Sequence, residues 1–154
     1  MPCHAAIAEK FLTVSPDMEV EKALKELKKK KLDEAAVVNE DGVVEGIFSL
    51  PVVMKNLLPV SVAMSDGIQL DVTVRAAPGI AKRLRKVYPL TVEQLMERKF
   101  NAVLPETPIW EAVHHLVNAG SALVVIEGEN RKFLGMITAQ SAMEELKRLQ
   151  ESES

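Results

Sequence analysis

The sequence predicts an α/β fold made of two copies of one strand-helix-strand-strand-helix unit, forming two lobes related by pseudo-twofold symmetry. Three observations predict it. The first is an internal repeat at an offset read as a constant 89 residues: Val14-Ser15-Pro16-Asp17 returns as Val103-Leu104-Pro105-Glu106, and Gly46-Ile47-Phe48-Ser49 as Gly135-Met136-Ile137-Thr138. A repeat of this kind decides the architecture before any single element does. The second is that short β-branched runs alternate with helical apolar spacing in each copy. The third is the placing of caps and turns at the joints, as in Asn39-Glu40-Asp41-Gly42 and Thr107-Pro108. Two lobes so related leave a cleft between them as the natural ligand position.

The elements follow in order. Phe11 to Val14 is a short strand, stopped by Ser15-Pro16-Asp17, which offers helix caps. Val20, Ala23, Leu24 and Leu27 keep helical spacing, and Lys28 to Lys31 close that helix, where cations face the negative end of its dipole. Ala35 to Val38 and Val43 to Phe48 are strands joined by a turn in which Gly42 supplies positive φ. Ser49 caps a second helix that tolerates Pro51 in its first turn. In the second copy Val92, Leu95 and Met96 make a turn and a half of helix, and Ala102 to Leu104 a strand. A helix then starts at Thr107-Pro108, since Pro suits the first helical position. Leu123 to Ile126 and Phe133 to Ile137 form the hairpin around a longer turn. Thr138 caps the last helix, on whose outer face Glu144 and Arg148 stand i,i+4.

An insertion at 59–90 separates the copies. Ile68 to Val74 alternates apolar and polar, a half-buried strand pattern that pairs with Val60 to Val62 across Ser65-Asp66-Gly67. Ile80, Leu84 and Val87 then mark one helical face, against Lys82, Arg83, Arg85 and Lys86 on the other. The division is therefore 1–58, first copy with its N-terminal segment; 59–90, connector; 91–150, second copy; 151–154, a frayed tail.

Composition narrows the function classes. At 154 residues and 47% hydrophobic the chain fills a core, and a formal charge of −3 argues against a general nucleic-acid binder. No apolar run approaches the roughly 18–20 residues that span a bilayer. There is no secretory leader pattern, and the single Cys3 makes no internal disulfide, so the expected setting is a reducing cytoplasm. No nucleophile or acid-base constellation assembles, and no phosphate-binding glycine loop is present, which points away from an enzyme.

Each copy resembles a CBS motif, and the whole resembles a tandem CBS pair, or Bateman module. The resemblance rests on Thr13 to Asp17, Val37-Val38-Asn39-Glu40-Asp41-Gly42 and Gly46 to Ser49 in the first copy. In the second it rests on Val92 to Met96, Pro105 to Pro108, Val124-Val125 and Gly135 to Thr138. It implies two β-α-β-β-α units packed sheet against sheet, homodimerisation into a disc, and clefts that bind adenosine-containing ligands so as to alter a partner enzyme, channel or transporter. No cofactor is required; AMP, ADP or ATP is the expected ligand type.

In that family the site pattern is Gly, two apolar residues, Ser or Thr, two variable residues, then Asp. Here the matching positions are Gly46, Ser49 and Val52 in copy one and Gly135, Thr138 and Ser141 in copy two. The hydroxyl that contacts phosphate or ribose is kept in both; the Asp that holds the ribose diol is kept in neither. Val52 accepts no hydrogen bond, which would leave buried ribose hydroxyls unpaired at about 1–3 kcal/mol each. Copy two is accordingly the preferred cleft, with Thr138 and Ser141 as ligand contacts. Ser49 and Thr138 also serve as helix N-caps, a role compatible with anion binding. The strand contact maps to Ala36 and Leu123, where small Ala36 leaves space for a flat base.

Other residues have plainer readings. His114 and His115 are adjacent on a helix, about 100° apart, and do not chelate one metal. Cys3-His4 is expected on a mobile N-terminus, and Trp110 at a lobe or dimer interface. Lys82, Arg83, Arg85 and Lys86 form a basic ridge suited to partner docking. Two functions follow: a cytoplasmic nucleotide sensor, and a ligand-free homodimeric scaffold that docks a partner through the insertion.

Overall fold

The computed structural model describes residues 2–58, 79–119 and 122–153. The expected hairpin at 60–74 lies outside these residues. A short 3-10 helix, η1 (Cys3–Ala6), opens the chain. The first copy then runs β1 (Thr13–Val14), α1 (Val20–Lys30), β2 (Glu34–Val38), β3 (Val44–Ser49) and α2 (Leu50–Leu57). The insertion contributes α3 (Gly79–Val87), and α4 (Val92–Leu95) follows it. The second copy repeats the order as β4 (Ala102–Val103), α5 (Ile109–Ala119), β5 (Leu123–Ile126), β6 (Phe133–Ile137) and α6 (Ala139–Glu153).

Each copy builds a three-stranded sheet, β1-β2-β3 and β4-β5-β6, with the first pair parallel and the second antiparallel. The two sheets face each other. Ala36, Val44 and Ile47 from one meet Ala122, Val124 and Met136 from the other, with Phe11 and Phe133 in edge-to-face contact at 5.5 Å. On the outer side of each sheet lies a helical layer. Val37 and Phe48 pack under α1 and α2 with Ala23, Leu27 and Val53. Leu123 and Ile137 pack under α5 and α6 with Ala112 and Ala142. Alternation along a strand splits its residues between these two layers, which is why every β2 residue from Ala35 to Val37 is buried.

Local chemistry explains the joints. Lys31 takes the left-handed conformation, φ 57°, as the C-cap of α1. The Asn39 carboxamide accepts from the Asp41 and Val43 N–H groups, and Gly42 turns at φ 83°. No side chain caps α1. Instead the Val20 and Glu21 N–H groups donate to the Leu90 and Tyr88 carbonyls, so the end of the connector does the capping.

The offset of 89 holds for most of the chain but not throughout. The Ala36 N–H donates to Leu12, and the matching donor in copy two is Val124, to Asn101. The register agrees: Val37 lies opposite Gly46, and Val125 opposite Gly135. The loop into β5 is thus one residue shorter, and the strand offset falls to 88. Ala36 therefore corresponds to Val124, not Leu123.

The N-terminus is also corrected. Cys3 is fully buried, and residues 2–8 are laid across the second copy. The Cys3, His4 and Ala8 N–H groups donate to Thr107, Pro105 and Met136 carbonyls. The same three bonds recur by symmetry in copy one: Val92 to Met18, Glu93 to Pro16 and Glu97 to Ile47. Each copy thus receives the segment that precedes the other. The helix that the sequence expects at 80–87 is present as α3, with Ile80, Leu84 and Val87 packed into the first core. No helix among the described residues is long and apolar enough to cross a membrane.

Candidate functional site

Two clefts lie where the crossing segments meet the first turns of α2 and α6, and they are pseudo-symmetry mates. The larger, about 810 Å3, has three walls. Ala8, Glu9 and Lys10 come from the end of the N-terminal segment. Lys31, Leu32 and Asp33 come from the loop between α1 and β2. Thr138 to Ser141 and Glu144 come from the start of α6. The smaller, about 550 Å3, is lined by Val52, Lys55, Asn56 and Leu58, by Arg83 of α3, and by Leu95, Met96 and Glu97.

The larger cleft sits at a helix N-terminus, where backbone N–H groups and the dipole favour negative charge. Thr138 and Ser141 form a reciprocal cap there. The Ser141 N–H donates to Thr138 Oγ1 at 3.0 Å, and the Thr138 N–H donates to Ser141 Oγ at 2.9 Å. Ser141 Oγ also donates to the Thr138 carbonyl at 3.1 Å. Ser141 is buried with most of its hydrogen-bonding capacity committed. Thr138 is half-buried, and its hydroxyl proton goes to no group among the described residues. The cleft brings Thr138 and Ser141 together, as the sequence reading pairs them.

The other expected contacts are placed elsewhere. Ser49 is buried, accepts from the Val52 N–H at 3.3 Å, and does not line the smaller cleft. Ala36 is fully buried in the layer between the sheets, and Leu123 in the layer under α5 and α6. Neither lines a cleft. Lys82, Arg83, Arg85 and Lys86 are carried along α3, and of the four Arg83 lines the smaller cleft, its Nη1 donating to the Leu57 carbonyl at 3.3 Å.

Several cleft residues carry no motif. Lys10, Lys31, Asp33 and Glu144 are charged residues of a turn, a helix end and an outer helical face, and sequence alone reads them as solvated surface. Only the meeting of the N-terminal segment, the loop between α1 and β2 and the start of α6 assembles them. The sequence sets Arg148 against Glu144, i,i+4; the structure pairs it with Glu145 instead, with Nε at 2.9 and 3.1 Å from the two carboxylate oxygens. That hydrogen bond holds the Glu145 carboxyl below the usual range, against the desolvation of its buried position. Beside the cleft, Glu34 reaches across the lobes to accept from the Ala122 N–H at 3.2 Å. Burial pushes its carboxyl up; the Ala122 bond opposes this and the neighbouring Asp33 adds to it. No group of His, Cys, Asp and Glu suited to a metal occurs among the described residues.

The two-copy fold has counterparts among known proteins. The family model for the CBS domain matches twice, at residues 5–58 and 92–148. No curated protein sequence matches the chain. Among solved structures, the CBS-pair protein CBSX2 from Arabidopsis thaliana is similar at 18% identity and a TM-score of 0.74, covering 97% of this chain and 96% of that one. CBSX2 in complex with AMP matches at 17% identity and a TM-score of 0.71, covering 97% and 98%. A CBS domain-containing protein of unknown function from Bacillus anthracis matches at 16% identity and a TM-score of 0.71, covering 96% and 94%.

Proposed function

The chain belongs to the CBS-domain family as a tandem pair, and from that premise we propose that it is a ligand-sensing regulatory module that takes an adenosine-type nucleotide in its larger cleft. The observation that carries this reading is the Thr138 hydroxyl, uncommitted as a donor among the described residues and lining an 810 Å3 cleft at the N-terminus of α6. Phosphate oxygens there meet Lys10 and Lys31 as well as the helix end. The ribose diol needs an acceptor, and although the family's Asp is replaced by Ser141, Asp33 and Glu144 line the same cleft. That a CBS-pair protein of the same fold is complexed with AMP supports the ligand class. Occupancy would favour one of two lobe arrangements and so alter a partner enzyme or transporter. The copy-two cleft is preferred over copy one because Ser49 is withdrawn from the smaller cleft.

Titration calorimetry with AMP, ADP and ATP tests the proposal. Thr138→Asp is the informative variant, since Asp remains a good N-cap while its carboxylate repels phosphate. We expect wild-type binding, lost in Thr138→Asp with unfolding midpoint unchanged. Binding that survives Thr138→Asp but is lost in Ser49→Ala would overturn the cleft assignment.

One observation favours a second reading, a ligand-free homodimeric scaffold. Trp110 and Val117 stand 68% and 77% exposed on one face of α5. Absence of binding by all three nucleotides, with a stable dimer, would select it.

A further inference from the structure

We propose that the smaller cleft is a second site of different chemistry, which binds a compact multivalent anion through Lys55 and Arg83. The two clefts are symmetry mates in position only. Where the larger has Ser141 and Glu144, the smaller has Val52 and Lys55. No hydroxyl among the described residues lines it, because Ser49 is buried as the cap of α2. It therefore lacks the Thr138 and Ser141 hydroxyls of the larger cleft and has gained a cation where that cleft has Glu144. Among the described residues its lining holds two cations and one carboxylate, Glu97, a formal +1; the larger cleft holds two cations and three carboxylates, a formal −1.

Arg83 is the distinctive member. It comes from α3, an element with no counterpart in copy two among the described residues. Ile80, Leu84 and Val87 anchor that helix in the first core beside Val53 and Leu57 of α2, and Arg83, on the flank of the same face, is held at the end of α2. One guanidinium N–H of Arg83 donates to the Leu57 carbonyl, which fixes the group at the cleft and leaves most of its five donors for a ligand. No carboxylate among the described residues pairs with Arg83 or Lys55. Val52, Leu95 and Met96 supply apolar walls that strengthen attraction for an anion between the two cations. An anion held there bridges α2 to the insertion helix, so its binding reports on, and restrains, a helix with no counterpart among the described residues of copy two.

Inorganic pyrophosphate is the probe, titrated by calorimetry at low and at physiological salt. Arg83→Gln keeps a donor for the Leu57 carbonyl while removing the charge, and Lys55→Gln removes the other cation. The expected result is one site, weakened by about tenfold or more in each variant. Lys31→Gln and Thr138→Asp, both in the larger cleft, should leave it unchanged, as should Lys29→Gln on the surface. No binding overturns the proposal, and so does an equal small loss in all five variants. Loss confined to Lys31→Gln and Thr138→Asp moves the anion to the larger cleft and overturns it too. Pyrophosphate binding without nucleotide binding would sink the nucleotide reading alone; nucleotide binding without pyrophosphate binding would sink this one alone.

Discussion

Cys3 shows how little a residue's type says about its role until its neighbours are known. A lone thiol near a chain end reads as loose and reactive. In the structure it is fully buried, its Sγ donates to the Leu104 carbonyl at 3.2 Å, and burial pushes its thiol pKa up, which makes it an inert small hydrophobe. Its symmetry mate is Val92, also fully buried. Cys3→Val should therefore cost less than about 1.5 kcal/mol. Cys3→Asp, which buries a charge, should cost more than about 2 kcal/mol in urea denaturation. Equal effects would show that the N-terminal segment does not pack. Glu34 makes a pH prediction. Its folded-state pKa is raised, so its contribution to stability is fully present below the ordinary glutamate range and is lost as pH rises through the folded value. The carboxamide introduced by Glu34→Gln keeps an acceptor for the Ala122 N–H but does not titrate. The stability advantage of Glu34→Gln should therefore grow with pH across that window and then level off, measured by unfolding at a series of pH values; a difference independent of pH would refute the assignment. Neither role was legible in the sequence, because each depends on a partner about ninety or a hundred residues away.

At the scale of elements, most of the fold was legible. Short β-branched runs, caps and the turn at Gly42 are local signals, and they place the described strands and helices. What local signals miss is how elements cross. Gly46 and Gly135 read as members of a binding motif, whereas the structure gives each a steric task. A Cβ on Gly46 would stand 2.6 Å from the Glu97 carbonyl oxygen, and one on Gly135 would stand 2.5 Å from Ile7 Cγ2. Each strand is crossed by the other copy's leading segment, and only glycine admits it. Gly46→Ala and Gly135→Ala should each cost about 1–3 kcal/mol. The obstacles differ in kind: backbone for Gly46, a side chain for Gly135. Ile7→Ala should therefore restore part of the loss in Gly135→Ala, whereas Met96→Ala should restore little in Gly46→Ala. A double-mutant cycle checks this, and equal rescue at both positions would contradict it. The site was half legible for the same reason. The hydroxyls are motif residues, but Lys10 reaches the cleft from the end of the crossing segment, and Lys31 and Asp33 from a loop of the other copy.

For the whole molecule, the copies match in backbone and differ in surface. Trp110 and Val117 of α5 correspond to Glu21 and Lys28 of α1, so this apolar helical face belongs to copy two, whereas Met143 of α6 and its mate Met54 of α2 are exposed alike, at 65% and 60%. An exposed apolar patch of this kind marks an interaction surface. We expect a dimer in light scattering at micromolar concentration, reduced to one chain by Trp110→Glu with Val117→Glu and unaffected by Glu21→Gln with Lys28→Gln. A single-chain mass for the unmodified protein would refute it. The exchange of leading segments has a consequence in time as well as in space. Residues 2–8 complete the copy whose last strand and helix, at 133–137 and 139–153, are made after the whole of the first copy. A segment made ahead of the first copy must therefore wait for the end of the second, and neither half has a finished core of its own to fold around. Unfolding should accordingly be one event for both lobes, and a chain truncated after residue 58 should stay unfolded until the missing half is supplied in trans.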